Sequence, residues 1–270
     1  MSQTKRKGSR ASATASLPEP PMLESDLKEL KLPAMLANWR TLAEQAQREG
    51  LSQPEYLAEL AHLEVTRRSE ARIARRIKDA GFPLLKTLDA FDFDAVPSLD
   101  RNVILELATG SFIDRSENVI FLGGCGLGKS HLCIALCIAC CQRDYRVRFT
   151  TAAELTQSLI EAKAENRLQR KLDQWSRYQL LAIDELGYLP IDRDGANLFF
   201  NFISKMYERR SLMVTTNLPF ARWSEVFHDA TAAAAVIDRL VHHATILNLE
   251  GESYRLRSAR NETRKGGSKA

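Results

Sequence analysis

The 270-residue sequence predicts an α/β fold, a mostly parallel sheet with helices on both faces, preceded by a small helical unit. Three observations predict it. Five short apolar runs, several rich in β-branched residues, lie at 119–122, 147–150, 180–183, 212–216 and 245–249 with helical stretches between them. Such alternation places strands in one parallel sheet and helices on its faces. A glycine-rich turn at 123–130 joins the first of these strands to a helical stretch. Upstream, Leu27, Leu30, Leu32, Leu42, Leu57, Leu60 and Leu63 recur at helical spacing.

The length suits one full-sized α/β domain and a smaller accessory unit, since domains run about 100–200 residues. With 44% hydrophobic and 27% charged residues, the bulk composition excludes a disordered or collagen-like chain. The longest nearly unbroken apolar stretch, 131–141, is far short of the roughly 20 residues that cross a bilayer, so no membrane partner is expected. Lys5, Arg6, Lys7 and Arg10 precede no apolar segment, so the start does not read as a secretory signal, and a cytoplasmic location is expected.

The net charge of +4 is unevenly placed: residues 1–21 carry +3 and residues 255–270 carry +5, which leaves −4 for the middle. Residues 1–21 and 259–270 read as disordered basic tails, too polar to bury apolar area. Between them, 22–94 is expected to form a helical domain and linker, and 95–258 the main core.

After the break at Pro18, Pro20 and Pro21, Ser52 followed three residues later by Glu55 fits a capping box. Downstream, Arg67, Arg68, Arg72, Arg75, Arg76 and Lys78 share half of a helical wheel, opposite Ile73, Ala74, Ile77 and Ala80. A basic amphipathic helix of this kind suits contact with a phosphate backbone; the plainer alternative is a solvated face on a packed helix. Gly81, Phe82 and Pro83 end it, and residues 86–97 read as an extended linker.

The turn GGCGLGKS matches G-x-x-x-x-G-K-[ST], and its place between strand and helix is what the motif's mechanism requires. A chance match is expected in roughly one chain in a hundred of this length. Glycines let successive backbone N–H groups face phosphates, and the helix that follows adds its positive end. Gly123, Gly124, Cys125, Gly126, Leu127, Gly128, Lys129, Ser130 and His131 are therefore the candidate nucleotide contacts. Lys129 is placed to bridge the β- and γ-phosphates, and Ser130 to offer its hydroxyl to Mg²⁺. Cys133, Cys137, Cys140 and Cys141 fall at spacings of three and four on the helix after the loop. They read as buried small hydrophobes rather than as a metal site with His131, which points off their stripe.

A glycine turn alone serves kinases, GTPases and ATPases alike. The run LLAIDELGYLP supplies a strand ending in Asp184 and Glu185 at the sheet edge where ligands collect. Asp184 suits Mg²⁺ coordination and Glu185 suits orienting and deprotonating the attacking water; a solvated turn is the bland alternative. The strand SLMVTT leads into Asn217, either a turn residue or the group that hydrogen-bonds the γ-phosphate or the water.

Four elements in order, GGCGLGKS, AIDELGY, TTNLP and IDRL, resemble an AAA+ ATPase core. KTLDAFDF, VRFTTAAEL, IDELGYLP, YERRS, TTNLPFARW, DRLVHHA and GESYRLR narrow this to a resemblance to IstB-like proteins. These are ATP-dependent helpers of insertion-sequence transposases and relatives of the DnaC helicase loader. The resemblance covers about residues 23–258. It implies an AAA+/ASCE P-loop fold, ATP and Mg²⁺ as ligands, and catalytic roles for Lys129, Glu185 and Asn217, with Ser130 and Asp184 on the metal.

Arg239 in IDRL resembles the family's arginine finger, which acts in trans and implies a ring or helical homo-oligomer; an arginine at a helix end is the plainer reading, and Arg209 and Arg210 are rivals. Arg255 is a weaker candidate for a second sensor. Two departures are Leu127 where relatives usually carry Thr and Cys125 where they usually carry Pro. Only 31 residues follow Arg239, so the usual helical lid is expected to be absent. The function implied is ATP-dependent assembly on double-stranded DNA in aid of a transposase, ended by hydrolysis, with non-specific contacts that weaken steeply with salt. A replicative-helicase loader and a nucleotide-switched DNA scaffold with negligible turnover are the alternatives.

Overall fold

The computed structural model describes residues 22–188, 190–251 and 253–254. The expected tails, Arg255 and the question of a lid fall outside them. The chain divides into two compact units after Arg72, earlier than the boundary at residue 94 expected from sequence.

The first unit holds α1 (Leu23–Glu29), α2 (Pro33–Glu49) and the start of α3 (Gln53–Ala80). Pro33 opens α2 where no N–H is needed, and Gly50 closes it at φ 73°. Glu55 reaches back to the Ser52 N–H at 2.8 Å, as a capping box requires, but the Ser52 hydroxyl bonds the same carboxylate rather than the backbone. Leu27, Trp39 and Leu60 form a small core. Leu30, Leu57 and Leu63 are exposed; their spacing marked helices without marking the packed face. Several of the basic groups of α3 have partners inside the protein: Arg67 and Arg68 lie 4.0 and 2.9 Å from Glu64, and Arg76 lies 3.4 Å from Asp144.

The second unit continues with α4 (Arg101–Leu107), α5 (Ser111–Asp114), β1 (Asn118–Gly123), α6 (Lys129–Gln142), β2 (Val147–Thr151), α7 (Ala152–Ala164) and α8 (Leu168–Trp175). It is completed by β3 (Leu180–Leu186), α9 (Arg193–Met206), β4 (Ser211–Thr216), α10 (Trp223–Phe227), α11 (Ala230–Val241) and β5 (Ala244–Leu249). The five strands form one sheet in the order β2-β3-β4-β1-β5, and every pairing is parallel. Side chains alternate between its faces. Val119, Phe121, Ala182 and Met213 face a core shared with α6, while Ile120, Leu181, Ile183 and Val214 face the helices α7, α9 and α11. Thr151 and Glu154 form a complete capping box at the start of α7, which sequence reading passed over.

Both sides of α6 are buried, and its four cysteines are fully so. Burial pushes the Cys140 thiol up to about 12 and the Cys141 thiol to about 11, which keeps them protonated and in the role of small hydrophobes. The stretch 86–97 is not an extended linker. It turns through a short 3₁₀ helix at Phe93–Ala95, capped by Asp92, and buries Phe91, Ala95 and Val96 in the core that contains α6. Among the described residues no helix is long and apolar enough to cross a membrane.

Candidate nucleotide-binding site

Because all five strands run the same way, β1, β3 and β4 deliver their C-terminal ends to one edge of the sheet. The turn after β1 leaves at Gly123 with φ 148°, where a Cβ would lie 2.4 Å from the Leu249 carbonyl oxygen. It closes at Gly128, φ 87°, where a Cβ would lie 2.7 Å from the Phe91 ring. Glycine is required at both points by conformation and by space. α6 then starts at Lys129 with its first N–H groups directed at the loop. The Lys129 ammonium donates to the carbonyl oxygens of Gly123 and Gly124 at 2.8 and 2.7 Å.

On β3 the strand does not stop at residue 183 as expected but runs to Leu186, with an irregularity against β4 between Ile183 and Leu186. Glu185 sits there at φ 61°. Strand alternation puts Asp184 on the α6 face, 6% exposed, and the irregularity after it leaves the Glu185 side chain in solvent. Ser130 Oγ donates to Asp184 Oδ1 at 2.9 Å. Thr215 Oγ1 donates to the same oxygen and accepts the Glu185 N–H at 3.0 Å. Two hydroxyls gathered on a buried carboxylate form a hard-oxygen set, the donor chemistry that Mg²⁺ takes.

These groups border a cavity of 370 Å³. Cys125, Gly126, Leu127, Gly128, Lys129, Ser130 and His131 line it, with Glu185 and Asn217 across from them. Gly123 and Gly124 stand behind, tied by Lys129, and Asp184 reaches the cavity through Ser130. Asn217 directs its Nδ2 at Cys125 Sγ, 4.0 Å away, and its Oδ1 is buried with no hydrogen-bond donor among the described residues. Phe91, Ala95, Val96 and Leu127 give the cavity an apolar wall, with Lys86, Asp92 and Tyr254 also in its lining. His131 Nε2 lies 2.9 Å from the Thr87 carbonyl and its ring meets Phe91 edge-on at 5.3 Å, which holds the 87–91 stretch against the loop.

Sequence reasoning missed Phe91, Val96, Thr215 and Tyr254. The apolar residues Phe91, Phe93 and Val96 in the supposed linker were the available signal for the first two. Arg239 does not line the cavity. The Asn118 amide, at the start of β1, reaches the Arg239 and Leu240 carbonyls at 3.5 and 3.0 Å, so Arg239 belongs to the opposite sheet edge. Its guanidinium donates to the Ala235 carbonyl at 3.0 Å and stands 4.7 Å over the Phe200 ring. Arg209 and Arg210 precede β4 on that same far edge, and Arg210 is held by the Ser176 carbonyl at 2.7 Å.

Comparison with known proteins agrees with this geometry. The chain is 43% identical over 238 residues to the ATP-binding protein of insertion sequence IS21 from Pseudomonas aeruginosa, spanning 88% of this chain and 90% of that one. It is 42% identical over 231 residues to that of IS5376 from Geobacillus stearothermophilus, spanning 86% and 92%. Among solved structures, AMPPCP-bound DnaA from Aquifex aeolicus superposes with a TM-score of 0.53 at 17% identity, over 68% of this chain and 56% of that one. DnaI superposes with a TM-score of 0.51 at 18% identity, over 61% and 91%. At such identities the likeness is one of fold, a parallel sheet flanked by helices. The family model described as IstB-like ATP binding protein matches residues 25–262, and with relatives this similar over most of its length the chain belongs to that family.

Proposed function

We propose that the chain binds Mg-ATP in this cavity and hydrolyses it, as the ATP-dependent helper of an insertion-sequence transposase that assembles on double-stranded DNA. The observation that carries the reading is the convergence of Lys129, Ser130, Asp184, Glu185 and Asn217, drawn from three strand ends, on one cavity with an apolar wall. The names of the IS21 and IS5376 relatives support both ATP as ligand and the link to insertion sequences.

The base packs against the wall that Phe91 and Leu127 form and the phosphates follow the loop. Lys129 exchanges the carbonyls of Gly123 and Gly124 for β- and γ-phosphate oxygens, anionic acceptors that make stronger hydrogen bonds. Ser130 and Asp184 hold Mg²⁺, which supplies neutralisation of the charge that builds on the transferred phosphoryl group. Glu185, free of the strand's packing, takes the proton of the attacking water. Asn217 Oδ1 accepts a hydrogen bond from that water. Arg239 serves the neighbouring subunit's nucleotide in a homo-oligomer. Arg75 and Lys78, both exposed on α3, together with the basic tails, meet the DNA backbone.

Glu185→Gln tests the reading. ATP hydrolysis is expected to fall by about 10²–10⁴-fold, the usual worth of a general base, with ATP and DNA binding retained. A wild-type rate indistinguishable from Glu185→Gln would instead describe a nucleotide-switched scaffold.

A further inference from the structure

We propose that Glu208, His242 and His243 form a binding site for a divalent transition-metal cation of the zinc class, on the sheet edge opposite the nucleotide cavity. The site does not depend on the nucleotide reading.

The three residues come from two junctions that the fold brings together. Glu208 sits in the turn between α9 and β4 at φ 55°. His242 caps the end of α11, and His243 leads into β5, its carbonyl accepting the Asn118 N–H at 2.7 Å. One ligand atom from each lies within 4.8 Å of the others, and all three side chains are exposed. Glu208 Oε1 and His242 Nδ1 are 3.9 Å apart.

The imidazoles are not free to wander. Their ring centroids lie 4.1 Å apart with planes 38° from each other. Tyr207 stacks against His242 at 5.8 Å and 23°, with its hydroxyl 2.5 Å from Nδ1. That hydroxyl occupies the nitrogen that faces Glu208, so a cation bound at Nδ1 takes its place, and the stacked Tyr207 ring keeps the imidazole oriented. Two imidazole nitrogens and one carboxylate are borderline donors, suited to Zn²⁺ and its neighbours rather than to Mg²⁺ or Ca²⁺, which take oxygen. Asp238 lies close enough to Tyr207, and Glu117 close enough to His243, to interact electrostatically. Two guanidiniums oppose them: Arg115 is bonded to both Glu117 carboxylate oxygens at 2.8 Å, and Arg239 is turned onto Phe200 and the Ala235 carbonyl. Three protein ligands leave a tetrahedral ion one position open to solvent.

The full chain, chelator-treated and without nucleotide, is titrated with Co²⁺ as a spectroscopic stand-in and then with Zn²⁺ in competition. The expected result is one equivalent bound, visible d–d bands without a thiolate charge-transfer band, and displacement by Zn²⁺. Glu208→Gln and His242→Gln, conservative changes on exposed positions, are each expected to weaken binding at least tenfold. Nucleotide binding by each variant shows that the fold persists. A thiolate band, affinity equal to wild type in Glu208→Gln and His242→Gln, or no saturable binding overturns the proposal.

Discussion

At the scale of single residues, Thr215 shows how much of the site depends on a group that no motif marks. Its hydroxyl accepts the Glu185 N–H and donates to Asp184 Oδ1, so one oxygen fixes the orientation of the buried acid and the left-handed backbone of the exposed one. Thr215→Val keeps the shape and removes both bonds. A lost hydrogen bond to a charged group costs about 1.5–3 kcal/mol, so kcat for ATP hydrolysis is expected to fall roughly 10- to 100-fold, with Thr215→Ser restoring most of it. Steady-state kinetics beside ATP affinity checks this, and an unchanged kcat in Thr215→Val would refute it. The glycine turn, Asp184 and Glu185 were legible in the sequence because their spacing is set by local backbone geometry. Thr215 was not, because its partners lie on β3, across the sheet, and a threonine in SLMVTT also suits any strand.

The elements show the same division between local and distant causes. Period and caps identified the helices, since a cap acts within one turn, but not which leucines of α3 pack. The stretch 86–97 lacks either period, so its apolar residues read as a linker; their burial follows from the uncovered side of α6, which only the folded core reveals. Glu64 is another long-range case. It is 4% exposed on α3 and accepts the Ala34 and Met35 N–H groups at 2.7 and 3.4 Å, acting on α2 as an end-cap would. Burial raises its carboxyl, but these N–H groups with Arg68 and Arg67 outweigh that and hold it below the ordinary carboxylate range. A depressed folded value means the stabilisation is present above the unfolded pKa of about 4.3 and is lost as pH falls through the folded value. Helical circular dichroism of the wild type is therefore expected to lose thermal stability from about pH 4 downward. Glu64→Gln should be less stable at neutral pH and should lack that acid-dependent step; an equal step in both would remove Glu64 as its source.

For the whole molecule, the parallel sheet separates two chemistries by the length of its strands. From Asn118, which touches the Arg239 backbone, to Gly123 is five strand steps, about 16 Å at 3.3 Å each. An arginine side chain does not span that, so Arg239 cannot serve the phosphates of its own chain. Its guanidinium is nevertheless held in place by Phe200 and the Ala235 carbonyl, an arrangement suited to presentation toward a second copy. If each nucleotide is completed by its neighbour's Arg239, then Arg239→Ala and Glu185→Gln subunits, each inactive alone, should recover activity when mixed. A productive site needs an Arg239→Ala subunit for its Glu185 and a Glu185→Gln subunit as the neighbour supplying Arg239. Random equal mixing in a closed ring makes about one site in four productive. ATPase activity near a quarter of the wild-type rate is thus expected at equal proportions, falling away toward either pure variant. Activity no greater than the sum of the two variants would place Arg239 in a structural role at the end of α11.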